Sequence, residues 1–264
     1  MPSSQLSFTD AGAGRPVLLV HGYPLDRTMW AEQIAGLARD YRVIAPDLRG
    51  FGASPLEDAD PTTGVSMGEY ADDLANLLND LEIDEPVVLC GFSMGGYIAW
   101  QFFTQHRDKL AALVLCDTRA AADNADARAK RLETAQQVHD HGSGWIAEQM
   151  IPKLFAEATR RERPEIISRT ADVIHRTSPD AIAAALRGMA HRPDSTPLLE
   201  QIDLPALVVV GEEDAISTRD EMTEMAGAIR GAQLVVVPNA GHMAPVENPA
   251  AVTKSLRKFL DKLV

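Results

Sequence analysis

The sequence predicts an α/β architecture, a mostly parallel sheet flanked by helices, on three observations. Short runs rich in Val, Leu and Ile alternate with longer stretches of helical period, the mark of strand–helix–strand crossovers. Glycine-rich turns stand at the ends of several of those runs. Between residues 119 and 198 the strand signal vanishes and Ala, Arg and Glu dominate.

The elements follow in chain order. Residues 6–9 and 17–20 read as strands joined through a turn at Gly12 and Gly14, followed by a helix over 28–39, a strand over 42–45 and a Gly/Pro-rich loop over 47–55. Met67, Tyr70, Leu74, Leu77, Leu78 and Leu81 recur at three- and four-residue steps behind the capping box Ser66/Glu69, which makes an amphipathic helix. A strand over 87–89 runs into Gly91-Phe92-Ser93-Met94-Gly95-Gly96, a helix reaches His106, and a strand over 112–115 ends that half. After residue 198 the theme returns: a strand over 206–210, a helix opened by the capping box Thr218/Glu221, a strand over 234–237, and a last helix with Asn248 as N-cap and Pro249 at its first position.

The 119–198 stretch exceeds any simple crossover and is interrupted by Gly142, Gly144, Pro152, Pro164 and Pro179, so it reads as a helical insertion. The expected organisation is a core made of residues 1–118 and 199–264, with a helical cap over 119–198. Within the cap, Trp145, Ile146, Met150, Leu154, Phe155 and Met189 are the candidates to line an apolar substrate pocket, although helix-spaced apolar residues serve core packing equally well.

Composition narrows the function. The formal net charge of −13 opposes any sequence-independent grip on phosphate, which argues against a nucleic-acid partner. The longest apolar runs fall far short of the ~20 residues that span a bilayer, so no membrane association is expected. Met1-Pro2-Ser3-Ser4-Gln5 has neither a basic nor an apolar leader region, and the expected address is cytoplasmic. Cys90 and Cys116 cannot build a disulfide framework or complete a cysteine zinc site, and both end apolar runs, as buried free thiols on neighbouring strands would. No metal site is expected.

The chemistry concentrates at strand ends, where α/β sheets place it. Gly91-Phe92-Ser93-Met94-Gly95 is a G-x-S-x-G pattern between a strand and a helix, the setting of a strained turn that presents a nucleophilic serine over helix N-terminal amides. An acyl-transfer site needs two donors for its oxyanion. Pro24 has no N–H, so in the His21-Gly22-Tyr23-Pro24 loop the donor is the Tyr23 amide, paired with that of Met94. Among seven histidines, His242 is the favoured general base because it follows the strand over 234–237; His21, also at a strand end, is the alternative. Asp214 in Gly211-Glu212-Glu213-Asp214 is the favoured orienting acid, and Asp117, which ends the strand before the insertion, is its rival. The chain order Ser93, Asp214, His242 is that of α/β-hydrolases.

With its His21-Gly22 loop, Asp47-Leu48-Arg49-Gly50-Phe51-Gly52-Ala53-Ser54 segment, serine elbow, acid loop and Gly241-His242, the chain resembles the α/β-hydrolases from end to end. Within them it is similar to small bacterial carboxylesterases, enol-lactonases and cofactor-free haloperoxidases (perhydrolases). The resemblance implies an eight-stranded sheet, a helical cap between strands six and seven, and no cofactor. Ser93 sets the chain apart from the haloalkane dehalogenases and epoxide hydrolases, which use an aspartate nucleophile. The expected activity is hydrolysis of a small-molecule ester or lactone through an acyl-enzyme. Perhydrolysis or enol-lactone hydrolysis on the same triad is one alternative, and a hydrolase-fold receptor or scaffold with little turnover is another.

Overall fold

The computed structural model describes residues 6–57 and 59–263; the leader assessment on residues 1–5 lies outside them. In chain order the elements are β1 (Phe8–Ala11), β2 (Pro16–Val20), α1 (Ala31–Leu37), β3 (Arg42–Pro46), α2 (Met67–Asp80), β4 (Val87–Phe92), α3 (Met94–Gln105), β5 (Leu110–Cys116), α4 (Ala125–Leu154), α5 (Glu157–Glu162), α6 (Pro164–Arg176), α7 (Pro179–Ala190), β6 (Ala206–Gly211), α8 (Arg219–Ala228), β7 (Gln233–Val237), α9 (Ala244–Glu247) and α10 (Pro249–Leu260). The sheet order is β1-β3-β2-β4-β5-β6-β7, with β1 antiparallel to β3 and every other pair parallel.

Among the described residues the sheet therefore has seven strands, as the residue patterns indicate, and not the eight that the resemblance implies. Only Leu6 and Ser7 are described ahead of β1, too few for another strand. The helical insertion consequently lies between the fifth and sixth strands. The helix expected over 28–39 is also shorter: Asp26 caps a 3-10 turn over Arg27–Trp30, and the α-helix proper begins at Ala31.

β2, β4 and β6 are buried along their whole length, as strands covered on both faces must be, which is why they read as unbroken apolar runs. Cys90 and Cys116 are free, buried and 3.8 Å apart on paired strands. Both capping boxes form, at Ser66/Glu69 and Thr218/Glu221. The register pairs Phe92 with Cys116, Cys116 with Val209, and Gly211 with Val237, so four adjacent strands end at one edge of the sheet.

In the insertion, α4 packs on α6 and α7. Gly142 breaks α4 into two limbs with φ 76° and ψ 173°, a conformation that costs glycine little. Pro164 and Pro179 occupy the first turns of α6 and α7, where a missing N–H costs nothing. Among the described residues no helix is long and apolar enough to cross a membrane.

Candidate active site

Ser93 sits on the turn from β4 to α3 with φ 51° and ψ −111°, a left-handed conformation that a non-glycine residue adopts only under constraint. Its N–H donates to the Cys116 carbonyl at 2.9 Å, and its carbonyl accepts from Thr118 Oγ1 at 2.7 Å. The glycines of the motif answer to crowding. A Cβ on Gly91 would stand 2.3 Å from the Gly95 carbonyl oxygen, and one on Gly95 would stand 2.4 Å from that of Val20.

His242 Nε2 lies 2.9 Å from Ser93 Oγ, and its Nδ1 lies 2.8 Å from Asp214 Oδ2. A carboxylate only accepts, so Nδ1 carries the proton and Nε2 is free to accept from the serine hydroxyl. Asp214 is held as an acceptor by the N–H groups of Ile216 at 2.7 Å and Ser217 at 3.0 Å on its other oxygen. His242 and Asp214 are buried, at 2% and 6% exposure, while Ser93 remains partly accessible.

Two amides stand ready for a developing oxyanion. Met94 opens α3, so its N–H has no intrahelical acceptor. Among the described residues no backbone acceptor takes the Tyr23 N–H, and the Tyr23–Pro24 peptide is cis. A serine hydroxyl hydrogen-bonded to an imidazole, with two unpaired amides, is an arrangement that acyl transfer can use.

His21, the alternative base, has no free nitrogen. Leu48 N–H donates to Nε2 at 2.9 Å, which leaves the proton on Nδ1 to be donated to the Gly22 carbonyl at 2.9 Å. Burial pushes its pKa below the ordinary value, so it stays a neutral internal brace.

Asp117 is fully buried with φ 46°. Its Oδ1 accepts from Gly211 N–H at 2.7 Å, and its carbonyl accepts from Ser217 Oγ at 3.2 Å. Its Oδ2 is buried with no hydrogen-bond partner. Burial, and after it the charge of nearby Asp214, push the Asp117 carboxyl far above the usual carboxylate range.

Glu247 pins the base loop to the insertion. It is 4% exposed, and its carboxylate accepts from Gly241 N–H at 2.7 Å and from Ala156 N–H at 2.9 Å, while Met243 N–H donates to the Leu154 carbonyl at 3.0 Å. Burial raises the Glu247 pKa against these donors.

The structure scatters the cap candidates. Ile146, Leu154, Phe155 and Met189 are buried; Trp145 and Met150 are partly so, and the Trp145 ring lies 5.0 Å from that of His141. Met189 Sδ contacts Arg131. A cleft of about 440 Å³ opens instead beside the loops after His21 and His242, between α6 and α9, with Leu25, Met29, Ile166, Val173, Met243 and Val246 in its wall. Met29 and Met243 were not singled out by the sequence, although Met243 directly follows His242. Among the described residues no group of three His, Cys, Asp or Glu side chains is arranged to hold a metal ion.

This geometry on this fold is that of a hydrolase, and the sequence agrees: the model of the alpha/beta hydrolase family matches residues 17–254, and the chain belongs to that family. A thermophilic esterase from Thermogutta terrifontis, solved with malate bound, is 48% identical with a TM-score of 0.94 over 98% of this chain and 93% of its own. The 3-oxoadipate enol-lactonase 2 of Acinetobacter baylyi is 27% identical over 95% of this chain and 90% of its own. A bromoperoxidase from Bacillus anthracis shares the fold at a TM-score of 0.84 and 23% identity, covering 97% and 95% of the two chains.

Proposed function

We propose that this hydrolase cleaves small carboxylic esters or lactones through an acyl-enzyme on Ser93. The observation that carries the reading is the unbroken chain from Ser93 Oγ through His242 to Asp214, at 2.9 and 2.8 Å. As Oγ attacks the carbonyl carbon, Nε2 takes its proton and the Tyr23 and Met94 amides hold the oxyanion. Collapse expels the alkoxide, which leaves with the proton from His242. Water then enters, gives its proton to Nε2, and releases the acid and free Ser93. No step needs a cofactor. The esterase from Thermogutta terrifontis supports the ester reading, and its bound malate is a small carboxylic acid, the product class that such turnover releases. The domain reading goes with it: 1–118 and 199–264 carry the chemistry and 119–198 covers it.

Fluorophosphonate labelling combined with steady-state hydrolysis of 4-nitrophenyl acetate tests the proposal. The parent should label and turn over, and Ser93→Ala should lose labelling and at least ~10⁴-fold in kcat. Labelling without sustained turnover would favour a receptor or scaffold, and activity retained in Ser93→Ala would end the acyl-serine mechanism.

A further inference from the structure

Beside the serine elbow the insertion carries a polar cluster that the mechanism does not use. Asp123, whose side chain is 4% exposed, bridges two guanidiniums: Arg131 Nε at 2.5 Å and Arg192 Nη2 at 2.9 Å. Burial works against the Asp123 charge, but the two arginines outweigh it and hold the carboxyl below its usual range. Two cations on one anion leave one positive charge in surplus.

The two arginines are not equivalent. Arg192 is 3% exposed in its side chain, donates to the carbonyls of Met189 and Ala121 at 3.0 Å each, and stacks 4.2 Å over the Tyr97 ring. Its hydrogen-bonding groups are consumed by the fold, apart from a buried Nε. Arg131 is 26% exposed, and beyond Asp123 its contact is the Met189 thioether at 3.5 Å, a weak acceptor. Through Asp123 and Arg192 it is tied to Tyr97, whose ring lies beneath the Arg192 guanidinium, and its charge works against the burial that raises the Tyr23 pKa. Tyr97 lies one helical turn past Ser93, and Tyr23 supplies the amide beside it. The Tyr23 hydroxyl is buried with no hydrogen-bond partner. A cation short of acceptors is thus linked through Asp123 and Arg192 to the helix that follows Ser93, an unpaired phenol stands on the loop that offers the Tyr23 amide, and an anionic oxygen would satisfy both.

We infer that Arg131, with the Tyr23 hydroxyl, forms a subsite for a carboxylate carried by the substrate, which makes that substrate a half-ester of a short dicarboxylic acid or a lactone with a free carboxylate. The inference rests on the acyl-serine reading above. Substrate selection here is local, since the acidic molecule as a whole repels anions and one guanidinium at contact range must overcome that field.

The test compares kcat/KM for monoethyl succinate with that for its neutral isostere ethyl succinamate. The parent should favour the half-ester, and Arg131→Gln should lower the half-ester to amide ratio by about tenfold to a hundredfold, the range of a charged hydrogen bond. A merely structural Arg131 would lower both rates and leave the ratio unchanged, which overturns the inference, as does a parent ratio at or below one. Should Arg131→Gln not fold, competition on the parent decides: succinate should inhibit 4-nitrophenyl acetate hydrolysis at least ~10-fold better than butyrate, and equal inhibition counts against the subsite. Loss of all ester turnover in the parent would instead sink the acyl-serine reading.

Discussion

Asp117 and Asp214 stand beyond the ends of neighbouring parallel strands, β5 and β6. Asp214 accepts from two backbone N–H groups and from His242 Nδ1. Asp117 accepts from one N–H, and its other oxygen is buried without a partner. The same residue type, one strand apart, is an acceptor for the imidazole in one case and a buried carboxyl whose pKa burial raises in the other. Position at a strand end admits either aspartate to the site; the number of donors around each decides its work.

The largest effect should come from Asp214→Asn, which presents an amide to His242, selects the wrong tautomer and should lower kcat on the order of 10⁴-fold. Near-parent kcat in that variant, with loss of activity only after Asp117→Asn is added, would hand the orienting role to Asp117. A smaller effect is expected from Asp117→Ala. It strips Gly211 N–H of its acceptor and leaves a hole beside Asp214's loop, and should cost about 1–3 kcal/mol in denaturant unfolding and roughly tenfold in kcat. Asp117→Asn keeps an acceptor for Gly211 at nearly the same size, so its kcat should stay within about threefold of the parent; a loss like that of Asp214→Asn would show that Asp117 works as a carboxylate.

The smallest effect is on the pH dependence of stability, and its sign follows from the raised Asp117 pKa. Above the ordinary aspartate range the unfolded chain releases this proton while the folded chain keeps it, so the folded state binds more protons and stability falls as pH rises toward the folded pKa. Asp117→Asn removes that loss. Its stability relative to the parent should increase between pH 5 and pH 8 in chemical denaturation, and a difference that stays flat or declines would mean that Asp117 is ionised in the folded protein.

Much of the candidate site was legible as a pattern because its signals are local. Ser93 lies within five residues that carry their own strand-to-helix context, and Asp214 and His242 each follow a β-branched run by a few positions. The rivalry between Asp117 and Asp214 was visible too, but its resolution depends on a contact across the β5–β6 register, which no local pattern encodes. The eighth strand came from resemblance and not from residues, and the residue patterns held. In the insertion, apolar spacing could not separate packing from pocket, because Leu154 and Met189 repeat as any buried helical face does. The meeting of Arg131 with Arg192 on Asp123 is a long-range event between separate segments, α4 and the chain after α7.

Glu247 has a consequence in time as well as in space. Because its carboxylate holds Gly241 and Ala156 together, the base loop and the end of α4 should open to solvent as one event. Amide hydrogen exchange at Ala156, Gly241 and Met243 should then proceed at a common rate, and Glu247→Gln should quicken all three together. Breathing of the insertion that admits substrate without that event is left to the stretch about Gly142, where α4 changes direction, so amides there should exchange sooner; the opposite order would show that the insertion swings at its Glu247 end.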